Sequence, residues 1–198
     1  SFTQTLKMAG LASVGYSFRK ADRVGFSAFY ARNAVDSYMA RQGHDEEGIR
    51  LKGSNQNSHV YELQNYQLTG HHVLGKWDTD WSGSYSKTSS EEPDRRQVMF
   101  RQMSDGTWDL FKLNAQETMR YFGKLDEDEW VGDVQAQYRF SDENKLRFGA
   151  ALRDKTRDFT CTSFYYNLKE MESLNVTDIY HTDGYLKFEN VQNRSLTI

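Results

Sequence analysis

The chain has 198 residues, enough for one domain with a sizeable core, yet only 37% of them are hydrophobic while 14% are aromatic, with 12 Tyr, 12 Phe and 4 Trp. A net charge of −3 gives no basic footprint for nucleic acid. No run approaches the roughly 18 to 20 apolar residues of a membrane helix, and the opening "SFTQTLKMAG" has no apolar h-region, so no signal peptide is expected here.

In "TLKMAGLASVGYSF", Leu6, Met8, Ala12, Val14, Tyr16 and Phe18 share one face, and Lys7, Ser13, Ser17 and Arg19 the other. This alternation predicts a strand with one apolar and one polar face. The short turn "RKADR" follows. Then Val24, Phe26, Ala28 and Tyr30 resume the apolar face against Gly25, Ser27 and Ala31, with Phe29 breaking the pattern. The segment 43–58, rich in Gly, Ser and Asn, reads as a long loop. After it come "HVYELQNYQLTGHHVL", a tight connector at 75–79 ("GKWDT"), and "DWSGSYSKTSS", where Trp81, Gly83 and Tyr85 oppose Ser82, Ser84 and Ser86.

A second long polar connection is expected over 87–118, with a short helix around 109–120. Alternation returns with Trp130, Gly132, Val134, Ala136, Tyr138 and Phe140 against Asp133, Gln135, Gln137 and Arg139. Beyond "SDEN", Leu146, Phe148, Ala150 and Leu152 oppose Lys145, Arg147 and Arg153. Residues 130–140 and 146–153 are therefore expected to form an antiparallel hairpin turning at 141–144, with the Trp130 and Leu146 sets on one face. The tail from Thr160 shows no clear period. The single proline, Pro93, suits a chain whose backbone N–H groups are committed to sheet ladders.

The joints 19–23, 75–79 and 141–144 are short, and the two connections between them are long. Outer-membrane barrels combine short turns at one end with long loops at the other. A polar face of Ser, Gln, Gly, Lys and Arg suits a wet lumen, and no charge falls on the apolar faces at 6–18, 130–140 and 146–152. Along 130–140 the large aromatics stand at the ends, with Gly132, Val134 and Ala136 between them, which is where an aromatic girdle belongs. The expected fold is all-β: an antiparallel up-and-down meander of long strands, with residues 1–198 a partial outer-membrane β-barrel. The alternative is a soluble β-sandwich or lipocalin-like module that binds a small ligand or glycan.

The stretch "YQLTGHHVLGKWDTDWSGSYSKTSSEEPD" (66–94) resembles the strand–turn–strand unit of TonB-dependent outer-membrane receptors, particularly those of Bacteroidetes-type bacteria. There a strand ending in an "LTG-H" pattern meets a short turn and a Trp-led strand ending in "E-PD". "RYFGKLDEDEWVGDVQAQYRFSDENKLRFGA" (120–150) resembles the same family's long strand with an "L-E" element, turn and following strand; together they cover about a third of the chain. The resemblance implies a receptor in the bacterial cell outer membrane. It would take up a scarce nutrient of the siderophore, cofactor or glycan class, energised by TonB through a plug domain.

No plug domain or TonB box is recognised, "NRSLTI" lacks the terminal aromatic of such barrels, and about six to eight strands compare with 22 in a closed transporter. The expectation is a piece of a barrel, since open sheet edges cannot sit in lipid. Its expected partners are outer-membrane lipid, TonB through the plug of the full-length parent, an unidentified nutrient, and other copies of the isolated fragment. No nucleic acid is expected.

Candidate chemistry is sparse. His71 and His72 are adjacent, so on a strand they point to opposite faces. His44 and His59 flank the expected loop, and His181 lies in the tail. "LDEDEW" (125–130) gathers four carboxylates without the spaced, Gly-containing pattern of a calcium loop, and reads as a solvated acidic stretch. Asp133 and Arg139 can pair with neighbours on a polar face, and the strand glycines relieve crowding beside aromatics. Cys161 has neither an internal partner nor a CxxC context. The expectation is a non-enzyme with no catalytic residues, no cofactor and no metal site, and with ligand contacts that cannot be read from the pattern.

Overall fold

A computed structural model describes residues 1–19, 21–110, 118–166, 189, 192, 196 and 197. The chain is an antiparallel up-and-down meander in one sheet, ordered β1-β2-β3-β4-β6-β7-β8, with β5 paired to β4; among the described residues it does not close into a barrel. The strands are β1 (Phe2–Ser17), β2 (Arg23–His44), β3 (Arg50–Leu74), β4 (Trp77–Gln102), β5 (Trp108–Leu110), β6 (Met119–Arg139), β7 (Lys145–Tyr166) and β8 (Leu196–Thr197). β3 and β4 run for 25 and 26 residues, about 80 Å of extended chain each. Soluble strands commonly have about 5–6 residues.

The hairpin expected at 130–153 is present. Tyr138 pairs with Leu146, Ala136 with Phe148, Val134 with Ala150 and Gly132 with Leu152. Directly opposed residues share a face, so the Trp130 and Leu146 sets are together. The same register logic puts Leu6 to Tyr16 of β1, Val24 to Tyr30 of β2, Tyr66 to Leu74 of β3 and Trp77 to Tyr85 of β4 on that face, in steps of two.

Both expected long loops are corrected. Within 43–58, β2 continues to His44 and β3 begins at Arg50, leaving a turn at 45–49. There Asp45 Oδ1 accepts hydrogen bonds from the Glu47 and Ile49 amides, at 3.0 and 2.8 Å, and Gly48 takes the positive φ of 81° that the reversal needs. Within 87–118, β4 runs on to Gln102, a second tight turn at 103–107 follows, and β5 occupies 108–110. The helix expected around 109–120 is contradicted at both ends, where Asp109 and Leu110 lie in β5 and Met119 and Arg120 in β6. Residues 111–117 lie outside the described residues.

Segments such as "GSNQNS" are strand because ladders hold them from both sides. Asn55 pairs with Met39 of β2 and Gln97 of β4, for example. Tertiary pairing overrides their weak strand propensity. The connector expected at 75–79 is shorter still, since Trp77 already belongs to β4. The tail without visible period is partly strand, because β7 continues through Thr160 to Tyr166.

β4 carries one extra residue against both neighbours. Between its pairs with Val60 and Gln56 it has four residues, 92–95, against three on β3, and it bulges against β6 between Glu92 and Arg95. Pro93 sits in this bulge, where its missing N–H leaves no ladder bond unmade. Asp94 staples the bulge to β6, accepting two bonds from Arg120 at 2.5 and 2.8 Å and one from Arg96 at 2.6 Å.

Among the described residues the buried apolar side chains are Leu51, Val98, Met99, Phe100 and Leu110, all at the end away from the short turns. Thr118 Oγ1 accepts the Met99 amide there at 3.1 Å. The apolar face itself is open: Leu68 is 48% exposed and Leu152 75%. At the opposite end, Asp22 is only 4% exposed and accepts the Val73 amide at 3.0 Å, tying the β1–β2 turn to the end of β3.

Candidate functional site: a banded face and a polar face

The apolar face is bounded by two aromatic rows. At the short-turn end stand Tyr16, Phe18, Trp77, Tyr138 and Phe140, with Trp77 and Tyr138 4.8 Å apart and Tyr138 and Phe140 4.9 Å apart. At the other end stand Tyr30, Tyr66, Tyr85 and Trp130. Tyr85 is the register partner of both Tyr66 and Trp130, and its ring lies 4.6 Å from that of Trp130.

The hydroxyls of this second row all turn away from the band. Tyr30 donates to Glu62 Oε1 at 2.6 Å, Tyr66 to Gln64 Oε1 at 3.3 Å, and Tyr85 to Asp128 Oδ1. Just beyond the row the same face turns charged, with Arg32 opposite Glu62, Lys87 opposite Asp128, and Asp154 opposite Trp130. Eight residue steps separate Trp77 from Tyr85, about 27 Å along the strand and about 21 Å across a sheet tilted by about 40°.

Of the strand glycines, Gly70 and Gly123 lie against aromatic rings as expected, whereas an added Cβ on Gly10, Gly43, Gly83 or Gly132 would meet nothing within 4 Å. An added Cβ on Gly70 would fall 2.2 Å from the Trp81 indole, and one on Gly123 2.7 Å from the Tyr121 hydroxyl, so both rings lie flat over their glycines.

On the polar face Asp133 and Arg139 find partners, as the alternation suggested: Ser82 donates to Asp133, and Arg139 Nη2 lies 3.6 Å from Asp78 Oδ2. "LDEDEW" is corrected from a solvated acidic stretch to part of β6, whose alternation divides the four carboxylates. Glu127 and Glu129 face Arg153, Lys155 and Arg157 of β7, with Lys155 Nζ 2.6 Å from Glu127 and Arg153 Nη2 2.8 Å from Glu129. Asp126 and Asp128 lie on the opposite face, where Asp126 meets Lys124 Nζ at 3.0 Å.

His44 ends β2, whereas His59 sits well inside β3, so the two do not flank one loop. His59 Nε2 is 2.8 Å from Ser90 Oγ, and its ring stacks on Tyr61 with centroids 3.9 Å apart. His71 and His72 do take opposite faces. His72 lies on the apolar side, near Phe18 and Trp81, with ring centroids 6.0 and 6.4 Å away. His71 is on the polar side, with Asp78 and Asp80. His181 lies outside the described residues, and Cys161 is a free, exposed thiol.

Sequence reading missed the meeting of His71 with Asp80. The signal was present: reflecting position 71 through the Gly75–Lys76 turn lands on 80, the observed register partner.

Beyond the second aromatic row, burial pushes the Asp94 carboxyl up, but the hydrogen bonds and charges of Arg120 and Arg96 outweigh it and hold it below the usual aspartate value. In the 103–107 turn, hydrogen bonds from the Thr107 hydroxyl and amide hold Asp105 low as well. Among the described residues, five buried acceptor atoms on the polar face make no hydrogen bond: Asn33 Oδ1, Asn55 Oδ1, Asn57 Oδ1, Asp78 Oδ1 and Glu92 Oε2, the last lying 3.5 Å from Arg95 Nη1. Among the described residues no helix is long and apolar enough to cross a membrane, which leaves spanning by strands untouched. No protein-family model and no curated protein sequence matches this chain.

Proposed function

We propose that this chain is part of a bacterial outer-membrane β-barrel of the TonB-dependent receptor type, which takes up a scarce nutrient and has no catalytic role. The observation that carries the reading is the apolar band itself, exposed along its length and closed at one edge by tyrosines whose hydroxyls all point outward. Tyrosine at a membrane boundary keeps its ring in the hydrocarbon edge and its hydroxyl in the polar layer. The distance between the rows is close to the roughly 25 Å band of outer-membrane barrels. The resemblance of 66–94 and 120–150 to TonB-dependent receptors supplies the transport class, and with it the expectation of a plug, TonB coupling and a siderophore, cofactor or glycan cargo. In that reading the edges of β1 and of β7 before Tyr165, unpaired among the described residues, pair with further strands of the parent protein, because lipid leaves no unpaired backbone group satisfied.

The four tryptophans allow a direct test. Trp77, Trp81 and Trp130 lie on the banded face, whereas Trp108 lies in β5 beneath Lys52, whose Nζ is 4.4 Å from its ring. Single-Trp versions of the full-length parent are reconstituted in vesicles whose acyl chains carry bromine. Fluorescence quenching at 77, 81 and 130 with none at 108 is expected. Unquenched emission from all four would favour the soluble sandwich or lipocalin-like module, in which protein covers this face.

A further inference from the structure

Three side chains converge on the polar face where the β3–β4 hairpin closes. His71 and Asp80 are register partners, and Asp78 stands two residues before Asp80 on the same face. His71 Nδ1 lies 2.7 Å from Asp80 Oδ1 and 3.6 Å from Asp78 Oδ1. One ligand atom from each of the three falls within 4.8 Å of the others. The geometry points to a site for a divalent transition-metal ion, Zn²⁺ in the first instance, with His71 Nδ1 and one oxygen each of Asp78 and Asp80 as its ligands.

An ion that holds nitrogen and oxygen at about 2.0–2.2 Å in a tetrahedron sets its ligand atoms about 3.4 Å apart. The observed separations bracket that value, so small side-chain rotations bring the three into place. The hairpin fixes the backbone beneath them: its turn is only Gly75 and Lys76, and Gly75 has a φ of 62°.

A second observation is independent of the clustering. Asp78 Oδ1, the oxygen nearer His71, is buried without a hydrogen-bond partner, while Oδ2 faces Arg139. Arg139 thus occupies one side of the carboxylate and leaves the other to a further cation. The imidazole selects against Ca²⁺ and Mg²⁺, which take oxygen ligands, and favours a borderline ion such as Zn²⁺. Three protein ligands leave a coordination position open. The Asp80 side chain is 52% exposed, so that position faces the solvated side of the sheet. With Arg139 close by and Arg23 opposite His71 in register, the site tempers its own affinity and suits an exchangeable ion.

The inference does not depend on which medium covers the other face. Its test is a Zn²⁺ titration of the full chain in detergent by calorimetry, with Co²⁺ absorption as a second readout of mixed nitrogen and oxygen ligation. One ion per chain is expected, with affinity falling roughly tenfold or more in His71→Ala and in the isosteric Asp78→Asn. His72→Ala, changed at the neighbouring residue on the opposite face, should bind as before. Circular dichroism establishes that each variant keeps its strand content, and the Co²⁺ spectrum of the unaltered chain stands even if a variant misfolds. No stoichiometric ion, a Co²⁺ spectrum without a nitrogen ligand, or a folded His71→Ala variant with unchanged affinity would overturn the site.

Discussion

Replacing residues of β6 with arginine one depth at a time separates a lipid-facing surface from a packed core. Trp130 and Tyr138 mark the edges of the band on this strand, so Val134 lies at its middle and Ala136 halfway to the short-turn edge. A lipid-facing arginine costs about 2–4 kcal/mol at the midplane and falls toward about 0–1 near the interface. Val134→Arg is therefore expected to destabilise by about 3 kcal/mol and Ala136→Arg by about half of that, while Gln135→Arg on the polar face stays near zero. A soluble core would also reject arginine, so the discriminating partner is Gly132→Leu. An added Cβ on Gly132 meets nothing within 4 Å. Lipid accommodates the larger side chain, whereas overpacking a filled core costs about 1–3 kcal/mol. The assay is urea unfolding of the full-length parent in vesicles, read by the mobility shift of folded against unfolded barrel. Equal losses at 134, 135 and 136, or a Gly132→Leu variant as damaged as Val134→Arg, would refute the lipid-facing reasoning.

Gly70→Val drives a branched Cβ into the Trp81 ring and is expected to cost about 1 kcal/mol through loss of the cross-strand pair; Gly83→Ala, with open space above it, is expected to be neutral in the same unfolding assay. The Asp94 carboxyl has its folded pKa depressed, so its contribution is fully present above the ordinary aspartate range, near pH 4, and is lost as pH falls through the lower folded value. Denaturation followed through Trp108 alone should show the midpoint dropping below about pH 4 in the native chain, with much of that dependence absent in Asp94→Asn. A steeper acid response in the variant would contradict the assignment.

The parts of the fold legible in the sequence were those where one face differs chemically from the other. Residues 130–140 and 146–152 alternate sharply because one face is apolar and the other carries Asp, Gln, Lys and Arg. Their pairing, turn and shared face follow from that period alone. Outside the band that contrast fades: Leu51, Val98, Met99 and Phe100 are buried there, while Ser54, Asn55, Gln56, Asn57 and Ser58 put polar side chains on both faces. "GSNQNS" then loses its period and looks like a loop, although β2 and β4 hold it extended. The rhythm of short and long connections accordingly reflects strand overhang beyond the band at 45–49 and 103–107. The same reasoning explains the candidate site. Two adjacent histidines were seen as a local feature and assigned to opposite faces, but a ligand set drawn from two strands requires the register across their turn. Asp78 and Asp80 entered only once that register was applied.

The bulge at 92–95 divides β4 into two reading frames. On the turn side of it the odd-numbered residues Trp77 to Glu91 point to the banded face; past it the even-numbered Arg96, Val98 and Phe100 do. Deleting Pro93 or Asp94 would set three residues opposite the three of β3 and one opposite Phe122 of β6, restoring uninterrupted alternation while Val98 and Phe100 keep their side and Phe100 keeps its pairing with Leu110. Drift in chain length is therefore absorbed in the hairpin tips and at this one point, whereas an uncompensated deletion elsewhere in β4 would turn every residue beyond it to the opposite face. Two related sheets that differ by a single gap here would share their strands and show the same side chains on the same faces at either side of it.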